Sequence, residues 1–408
     1  MHVLVVGMNY APEQTAIGPL TTELCEHLVS QGHRVSVITG FPHFPEWKVH
    51  NNYKKKILQR ENIKGVSVYR GYVYVPSQPR NALQRIIYDT SICISSFLWG
   101  LTIRRVDVIL VVSPPLQLCL TAYYLSKIRN CGLIMLIQDI VPDAAIDMGI
   151  IKDSIVIKIA RKLERYVYIK VQTIIVICQG FVNNLKNKGV PDSKIVLLPN
   201  WVDTDFIRPL VRNNIFRQKY GIAENRFLVL HAGNVGVKQG LENVLKTAKE
   251  FKSEPDILFY IVGGGNELDY LAKLSNEENL NNVRFLPLQP KEMLPHMLSA
   301  ADALIINQRS DVVDIVIPSK LYTYMASGRP IIAAVHPKSE AGRYITMADC
   351  GLVIPPEQPK VLADAIRQVK TDSSLADRYG RNARKYLEEN FDRKKILKKF
   401  TAVLERSI

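Results

Sequence analysis

Short runs of apolar residues recur along the chain and alternate with segments of helical periodicity. The first series comprises residues 3–7, 35–39, 108–112, 133–137, 174–178 and 195–198. Continuous apolar runs of this length are typical of strands covered on both faces. Strands joined in turn by helices form right-handed βαβ units, so the pattern predicts a doubly wound parallel sheet. Residues 66–74 alternate apolar and polar side chains, which predicts an edge strand.

A second series of apolar runs follows after a polar stretch. It comprises residues 227–230, 257–262, 283–285, 303–306, 331–335 and 352–353. The 408 residues are enough for two or three domains with a packed core in each. We therefore predict an α/β protein of two Rossmann-like, doubly wound parallel-sheet domains that face a cleft. The predicted domains are 1–203 and 225–385, with a linker at 204–224 and a C-terminal helix at 386–408 that packs back on the first domain.

Residues 318–335 have the pattern of a loop, a helix, a sharp stop and a buried strand. Pro318 suits the first turn of a helix, Gly328 suits the position after its end, and Pro330 prevents the helix from resuming. Such a helix would begin at the carboxyl edge of a parallel sheet, where free amides and a partial positive charge suit a phosphate. The pattern predicts a phosphate site at Ser319 and Lys320.

Several classes of protein lack support in this sequence. No G-x-G-x-x-G follows the first strand and no P-loop motif is present, which argues against a dehydrogenase and a P-loop NTPase. The six cysteines are scattered without a C-x-x-C pair. This spacing favours buried thiols in a reducing compartment over disulfides or a metal site. We therefore expect no metal and no other cofactor.

The net charge of +15 is concentrated in one part of the chain. Residues 51–105 contain ten Lys and Arg against only Glu61 and Asp89. A basic block can face nucleic acid, anionic lipid or solvent alone. No nucleic-acid motif accompanies it, so we expect no nucleic-acid partner.

The most apolar helical segment is 86–103, which ends at Arg104 and Arg105. It contains Asp89, several hydroxyl residues and Gly100, and spanning a bilayer takes about 20 mainly apolar residues. An interfacial or a buried helix is therefore the better prediction. The chain begins directly with a strand, which predicts no signal peptide. We expect a cytoplasmic protein that lies on the inner face of the membrane through this helix, with Trp99, and through the basic block.

Five segments carry a resemblance to a known family. They are residues 9–18, 138–143, 198–203, 233–241 and 318–333, and the match extends over nearly the whole chain. The sequence resembles the retaining GT-B glycosyltransferases of family 4, in the group that includes bacterial colanic-acid and O-antigen sugar transferases. The resemblance implies transfer of a sugar from a nucleotide-diphosphate donor. Together with the basic block, it makes a polyprenyl-diphosphate-linked saccharide the expected acceptor.

The resemblance also implies roles for individual residues. The expected catalytic residues are Asp139 and Lys238. The expected donor-binding residues are Gly18, Gly233, Asn234, Lys238, Gly264, Leu286, Pro318, Ser319, Lys320 and Thr323. The expected acceptor-binding residues are Glu13, His43 and Trp47. Purely structural roles remain open for some of them. Asp139 could be a helix N-cap, and the aromatic side chains of loop 41–47 could serve only in packing.

The sequence departs from the family pattern in its second half. The family commonly has an E-x7-E pair, but Ile315 and Thr323 occupy the two positions. Asp311 or Asp314 could serve nearby, or could be solvated loop acids. Asn234 replaces an arginine, which leaves Lys238 as the first candidate for the diphosphate and Lys320 as the next. Two alternatives remain: a sugar-nucleotide epimerase of the same fold, and a basic protein that binds nucleic acid or membrane.

Overall fold

The chain forms two compact α/β units. The computed structural model describes residues 1–13, 17–79, 81–140, 143, 154–312 and 318–408. Unit 1 comprises Met1–Asn200 with Ile396–Ile408, and unit 2 comprises Trp201–Lys395. Each unit has its own mainly parallel sheet, as the alternation of strands and helices predicts.

Unit 1 is built on an eight-stranded sheet of order β3-β4-β2-β1-β5-β6-β7-β8. Its strands are β1 His2–Val6, β2 Arg34–Gly40, β3 Leu58–Ile63, β4 Val66–Gly71, β5 Val108–Ser113, β6 Gly132–Ile137, β7 Thr173–Val176 and β8 Ile195–Leu197. Its helices are α1 Gly18–Ser30, α2 Ala82–Thr102, α3 Leu118–Arg129, α4 Ser154–Lys170 and α5 Gln179–Asn187. Strands β1, β5 and β6 are buried on both faces, in agreement with their continuous apolar sequences.

The edge of this sheet differs from the prediction. The predicted edge strand is β4, but β4 lies between β2 and β3. The true edge is β3, which is antiparallel to β4 and alternates half-buried and exposed residues. Its sequence, LQRENI, lies within the basic block and has few apolar residues, so no apolar run marks it as a strand.

Helix α2 coincides with the predicted apolar segment. In the described residues, no helix is long and apolar enough to span a membrane. Trp99, which the sequence places with the membrane-facing helix, is half-buried. The Trp99 ring packs at 5.2 Å from the ring of Tyr69, and its Nε1 donates to the carbonyl of Arg70 at 2.9 Å. Trp99 therefore fastens α2 to β4.

Unit 2 is built on a six-stranded sheet of order β11-β10-β9-β12-β13-β14, in which every pair is parallel. Its strands are β9 Phe227–Asn234, β10 Ile257–Gly264, β11 Val283–Leu286, β12 Ala303–Asn307, β13 Ile331–Ala334 and β14 Gly351–Ile354. Its helices are α6 Ile215–Lys219, α7 Glu242–Lys249, α8 Leu268–Glu277, α9 Leu294–Ala300, α10 Ser319–Ser327, α11 Glu340–Met347, α12 Pro359–Thr371 and α13 Ser373–Asn390. A further helix, α14 Arg393–Glu405, crosses from unit 2 into unit 1.

The stretch 204–224, predicted as a linker, lies in unit 2. It contains α6, whose Arg217 is buried and donates to Asp302 Oδ2 at 2.7 Å. Arg212 donates to the same carboxylate through Nη2 at 3.0 Å. Because these polar side chains find partners inside the unit, a stretch with the composition of a linker becomes part of its packed structure.

The chain crosses between the units twice, and the two passages pair within unit 2. Val202 forms an isolated parallel bridge with Asp392. The N–H of Val202 donates to the carbonyl of Phe391 at 3.1 Å, and the N–H of Arg393 donates to Val202 at 3.0 Å. The residues after Lys395 belong to unit 1, where Ser407 lies against Gly132 at the start of β6.

Candidate functional site

Two neighbouring strands of unit 2 end in glycines at the carboxyl edge of the sheet. Strands β9 and β10 stay paired to their last residues, with Gly233 opposite Gly263. Both glycines have positive φ, 131° and 144°, which side chains disfavour. A Cβ on Gly263 would lie only 1.9 Å from the carbonyl oxygen of Gly233. The glycines therefore keep this edge as bare backbone that a ligand can approach closely.

A tyrosine hydroxyl forms hydrogen bonds with the backbone of β9 at the point where β9 separates from β12. Strands β9 and β12 pair only through Val229 and Leu230, so the next backbone groups of β9 need another partner. The Tyr324 hydroxyl accepts from the N–H of Ala232 at 2.7 Å and donates to its carbonyl at 3.2 Å. Tyr324 is completely buried. This tyrosine therefore positions the residue before Gly233.

A lysine ammonium lies over the glycine edge. Nζ of Lys320 is 3.3 Å from Nε2 of His231, and a Cβ on Gly233 would lie 3.5 Å from this Nζ. Within the residues that the structure describes, no carboxylate lies within salt-bridge distance of Lys320, so only desolvation acts on its charge. Burial lowers the pKa of Lys320 to about 8. Among the described residues, this cation therefore has no counter-charge of the kind that buried ammonium groups normally have.

Burial also holds His231 neutral. The desolvation of its ring, reinforced by the charge of Lys320, lowers the pKa of His231 well below its usual value. A neutral imidazole offers one acceptor nitrogen, whereas an imidazolium would offer none and would repel the ammonium. His231 therefore lies beside Lys320 without neutralising it, and its Nε2 is also 3.3 Å from the carbonyl oxygen of Asn234. Strand β9 reads as an ordinary apolar strand in the sequence, and no pattern there marks His231 as part of the site.

Lys320 belongs to the first turn of α10, as the sequence predicts for the helix after Pro318. Pro318 is the N-cap and makes no side-chain cap bond, so the first amides of the helix are not capped by it. Ser319 is exposed beside them. Gly328 ends the helix with φ 66°, as predicted. The Thr323 hydroxyl donates to the carbonyl of Lys320 at 2.9 Å and so reinforces the helix.

The loop after β9 is fastened to the end of β12. The Asn307 amide donates to the carbonyls of Gln239 and Gly240 at 2.7 and 2.9 Å. The Gln239 side chain accepts from Asn234 Nδ2 at 3.2 Å and from the N–H of Gly236 at 3.1 Å. Asn234 is therefore a loop-forming residue in this structure. The sequence predicts roles for Gly233 and Lys238 in this region, but it predicts none for Gln239 or Asn307.

The remaining donor candidates of unit 2 lie at the same edge with different exposure. The Lys238 side chain is exposed, in contrast to Lys320. Gly264 is exposed and an added Cβ there would meet no atom within 4 Å. Leu286 ends β11 and is half-buried. Asp311 pairs with Arg309 at 2.9 Å. Asp314 and Ile315 lie outside the described residues.

A cavity of about 280 Å³ lies beside the loop after β9. It is lined by Gly236, Val237, Gly240, Leu241, Glu242, Asn243, Lys246, Glu267, Leu271, Arg309 and Glu357. Within the described residues, no group of three or more His, Cys, Asp or Glu is arranged to hold a metal ion. The charged side chains at this cavity are therefore lysine, arginine and carboxylates that are not grouped as a metal site.

In unit 1, two predicted acceptor residues form one buried cluster. Oε1 of Glu13 accepts the backbone N–H groups of His43 and Phe44, both at 2.9 Å. Nδ1 of His43 lies 2.7 Å from the carbonyl of Phe41, so Nδ1 carries the proton, and Nε2 accepts from the Tyr88 hydroxyl at 2.8 Å. Burial lowers the pKa of His43, which keeps the ring neutral. Glu13 and His43 are both buried and shape the loop from within.

Trp47 is the more accessible member of this cluster. Its ring lies 5.6 Å from the ring of Tyr88 and 5.7 Å from that of Phe44. The guanidinium of Arg85 lies 5.4 Å from the Trp47 ring. Trp47 is half-buried and has φ 52°. An aromatic surface with a cation beside it suits a sugar or an anion, although the contacts seen here are packing contacts.

Arg70 belongs to the basic block 51–105, yet its side chain is completely buried. It donates to the carbonyl of Gly40 at 3.2 Å and also to that of Ala11, and it pairs with Glu61. Arg70 therefore connects β4 with the loop after β1. Gly18 lies against this loop, because a Cβ on it would be 3.2 Å from the carbonyl oxygen of Glu13.

The ends of β6 and β8 are joined by a pair of amides. Gln138 and Asn200 exchange two hydrogen bonds of 3.0 and 2.9 Å. Asp139, the predicted catalytic carboxylate, follows Gln138 directly and is exposed. The amide pair fixes the position of the backbone that carries this carboxylate. Two members of the quoted segment 138–143, Val141 and Pro142, lie outside the described residues.

The comparisons with known proteins agree on one family. Residues 212–386 match the model of "Glycosyl transferases group 1", and residues 15–201 match the model of "Glycosyl transferase 4-like domain". The chain is 32% identical over 408 residues to WcaI, named as a colanic acid biosynthesis glycosyl transferase of Escherichia coli (strain K12). The match covers 98% of each chain. This chain belongs to the group 1 glycosyltransferases.

Other relatives extend the family assignment. WbjE, named as a glycosyltransferase of Pseudomonas aeruginosa, is 27% identical over 73% of this chain and 74% of its own. Among solved structures, HepE of Anabaena in complex with UDP is similar, with a TM-score of 0.72 at 16% identity over 100% of both chains. The sucrose-phosphate synthase of Thermosynechococcus elongatus has a TM-score of 0.75 at 15% identity, covering 99% of this chain and 98% of its own. The predicted GT-B fold class and glycosyltransferase activity are thus confirmed.

Proposed function

We propose that this glycosyltransferase takes a sugar from a nucleotide-diphosphate donor and transfers it, with retention at the anomeric carbon, to a polyprenyl-diphosphate-linked saccharide. The pathway would be the biosynthesis of a surface polysaccharide. The observation that carries the donor half of the proposal is Lys320. Its ammonium is held over bare backbone, beside a neutral histidine and without a carboxylate in the described residues. A diphosphate would supply the missing negative charge.

The edge around Lys320 offers further contacts for phosphate oxygens. Pro318 gives the amides at the start of α10 no side-chain cap, and the positive end of the helix dipole favours an anion. Gly233 allows close approach because it carries no side chain. Lys238, exposed on the neighbouring loop, is a second cation that could reach the donor. The solved HepE complexes contain UDP and UDP-glucose, which supports a uridine nucleotide as the first donor to test.

The reaction places its main demand on the leaving diphosphate. As the bond between the anomeric carbon and the diphosphate oxygen breaks, negative charge grows on the phosphate nearest Lys320. A preorganised ammonium and helix amides would stabilise this charge. The acceptor hydroxyl forms the new bond to the anomeric carbon, and its proton passes to an oxygen of the departing phosphate. No protein base is needed in this scheme, and Asp139 would orient the acceptor or support positive charge on the sugar.

We propose that the transfer proceeds without a metal ion. Lys320 and the helix amides would provide the positive charge that divalent ions provide in many phosphate sites. The test is turnover after treatment with a chelator. Full activity in the presence of the chelator is expected, and loss that added Mg²⁺ or Mn²⁺ restores would refute this part of the proposal.

The lipid-linked acceptor places the reaction at a membrane. A polyprenyl chain stays in the bilayer, so the enzyme must reach its acceptor at the bilayer surface. The names of the relatives in colanic acid and lipopolysaccharide biosynthesis support such an acceptor. We propose a cytoplasmic enzyme that binds peripherally to the inner face of the plasma membrane.

The first experiment is a thermal-shift screen of the purified protein with UDP, GDP, dTDP, CMP and their sugar conjugates. A ligand that binds only the native state raises the melting temperature. One nucleotide diphosphate is expected to raise it in the wild type, but not in Lys320→Met. Equal shifts in both proteins would remove Lys320 from the donor site. Consumption of the sugar nucleotide without any acceptor would favour an epimerase or hydrolase instead.

A further inference from the structure

Three neighbouring helices of unit 1 carry half of the large apolar side chains that are exposed on the described surface. Of 24 such side chains, 12 lie on α2, α3 and α4. They are Leu83, Ile86, Ile87, Ile94, Leu98, Leu101, Tyr124, Ile128, Ile155, Ile159, Tyr166 and Ile169. Scattered exposed apolar residues are normal, but this concentration on adjacent helices marks a contact surface. We call it the three-helix face.

Helix α2 carries large apolar side chains on its outer face as well as on its buried face. Its inner face buries Tyr88 and Ile92, and Gly100 lies against Leu125 of α3. Its outer face presents Ile94 and Leu98, which are 59% and 54% exposed. A helix that needed only to cover the sheet would bury such residues. The exposure of this apolar stripe therefore implies something outside the chain.

Helix α4 presents a second apolar row on the same side. Ile155, Ile159, Tyr166 and Ile169 recur at helical spacing and are 40–65% exposed. An aromatic and cationic cluster joins α4 to α3. Lys170 lies 5.3 Å from the Tyr166 ring and 5.8 Å from the Tyr123 ring, and Tyr123 is 6.5 Å from Tyr166. The two helices therefore present one continuous surface.

The charges around this surface have one sign. The described residues 82–105, 118–129 and 154–170 include ten basic residues: Arg85, Arg104, Arg105, Lys127, Arg129, Lys158, Arg161, Lys162, Arg165 and Lys170. The same ranges include two acids: Asp89 is half-buried and Glu164 is buried. Burial raises the pKa of Asp89 to about 6, and Glu164 pairs with Lys188 at 2.6 Å. The outer surface is apolar and positive.

We propose that the three-helix face is the surface by which this protein lies on an anionic lipid bilayer. The inference deepens the proposed function, because it names the part of the chain that meets the membrane of the acceptor. Leu and Ile side chains would enter the boundary between headgroups and acyl chains, and the tyrosines would lie at headgroup level. The lysine and arginine side chains would extend to lipid phosphates.

The charge distribution favours lipid over a second copy of the chain. Two copies joined through this face would bring their basic residues together, which opposes association. An anionic bilayer instead attracts each basic residue near its surface. No helix in the described part of the chain could span the bilayer, so the contact would be interfacial.

The test is co-sedimentation with vesicles of phosphatidylcholine alone or mixed with phosphatidylglycerol. The apolar variant is Ile94→Glu/Ile159→Glu, and its matched control is Val211→Glu/Leu288→Glu, which changes two apolar residues of unit 2 that are 73% and 78% exposed. The wild type is expected to bind the anionic vesicles. The apolar variant should lose about tenfold or more of this affinity, because its glutamates oppose insertion and add negative charge. The control should bind like the wild type.

A second variant tests the charge. Lys158→Gln/Lys162→Gln/Arg165→Gln removes three exposed basic residues of α4 and should weaken binding to anionic vesicles about 100-fold. Wild-type binding to anionic vesicles that neither variant weakens, or no binding by the wild type, would overturn the proposal. A concentration-dependent dimer that the apolar variant abolishes would assign the face to a second copy instead.

The outcome is independent of the donor proposal. The vesicles contain no acceptor, and the nucleotide thermal shift of every variant is measured without lipid. Face variants that lose vesicle binding and keep the nucleotide shift support the three-helix face. Vesicle binding without any nucleotide shift would refute the proposed donor and leave the membrane surface standing.

Discussion

Nζ of Lys320 and Nε2 of His231 lie 3.3 Å apart, and burial disfavours a charge on both side chains. The histidine remains neutral because burial lowers its pKa. The lysine keeps its charge, and no described residue provides an opposite charge beside it. Such an arrangement weakens the empty protein and strengthens the complex with an anion. Binding sites that oppose stability in this way are expected where the ligand completes the electrostatics.

Replacing Lys320 should therefore separate stability from binding. Lys320→Met removes the buried charge while keeping an unbranched apolar chain, so the free energy of unfolding near pH 7 should rise by about 1–3 kcal/mol. The same change should weaken binding of the nucleotide diphosphate by about 30- to 100-fold, because a charge-assisted contact is lost. Chemical denaturation and calorimetric titration measure the two effects.

One control variant and one comparison variant accompany this experiment. Lys273→Met changes a lysine of α8 that is 76% exposed, and it should alter neither stability nor nucleotide affinity. Lys238→Met compares the two candidate lysines directly. A larger loss of affinity in Lys238→Met than in Lys320→Met would make the exposed lysine the main diphosphate partner. Lower stability of Lys320→Met would contradict the inference of a destabilising charge.

Donor binding should weaken as pH rises above 8. The free protein has a Lys320 pKa of about 8, compared with its ordinary value of 10.5, and a bound diphosphate would raise it again. A pKa raised by binding gives an affinity that is fully present below the free pKa and is lost as pH rises through the bound pKa. The affinity should fall by up to about tenfold per pH unit above pH 8. Calorimetric titration between pH 7 and 10 checks the profile, and Lys320→Arg should flatten it because arginine stays charged.

The same shift fixes the sign of a stability profile. The folded pKa of Lys320 lies below the unfolded value, so the unfolded chain binds more protons between pH 8 and 10.5. This lysine therefore makes a contribution to stability that rises with pH across that window. The difference in unfolding free energy between the wild type and Lys320→Met should shrink from pH 8 to pH 10. A constant difference would place the stabilisation by methionine in packing instead of charge.

The sequence predicts the parallel sheets well because continuous apolar strands alternate with helices. It does not predict β3, because the polar sequence of this strand has no local strand pattern. Pairing with β4 holds the strand in place. The sequence also does not show that Arg70 is buried, because composition reports neither the direction of a side chain nor its burial. Tertiary context decides these features.

The sequence predicts the helix α10 and the glycine-containing loop after β9, the two elements around which the candidate site is built. The sequence ranks Lys238 before Lys320. Only the fold shows that Lys320 is the lysine that lies over Gly233 and is desolvated there. His231 lies in an ordinary apolar strand. Tyr324 lies in the distinctive segment 318–333, but nothing in the sequence shows that its hydroxyl bonds the backbone of β9. Their roles depend on the point at which β9 separates from β12.

Removing the hydroxyl of Tyr324 should disturb the backbone that leads to Gly233. Tyr324→Phe leaves the buried N–H of Ala232 without its acceptor, which should lower the free energy of unfolding by about 1–3 kcal/mol. Donor affinity should fall severalfold as the position of Gly233 loosens. Denaturation and nucleotide titration measure both. Tyr386→Phe, at a half-buried tyrosine of the same unit, serves as the control, and equal effects in the two variants would refute a positioning role.

The two glycines that end β10 should respond differently to alanine. Gly263→Ala places a Cβ 1.9 Å from the Gly233 carbonyl oxygen at φ 144°, so it should destabilise unit 2 by about 3 kcal/mol or more. Gly264→Ala has open space around its Cβ and should keep the stability of the wild type within about 0.5 kcal/mol. Weaker nucleotide binding in Gly264→Ala would then reveal a ligand close to this residue. Wild-type stability of Gly263→Ala would contradict the observed pairing of the strand ends.

Glu13 allows a test of whether the buried cluster of unit 1 shapes a loop or contacts the acceptor. Glu13→Ala leaves the N–H groups of His43 and Phe44 without their acceptor, so unfolding free energy should fall by about 2–4 kcal/mol. Glu46→Ala removes a carboxylate of the same loop that is 63% exposed and should change stability by less than about 0.5 kcal/mol. Denaturation curves and acceptor KM are measured on both variants. Loss of stability together with a raised KM identifies Glu13 as a positioning residue, whereas a raised KM at wild-type stability would make its carboxylate a direct acceptor contact.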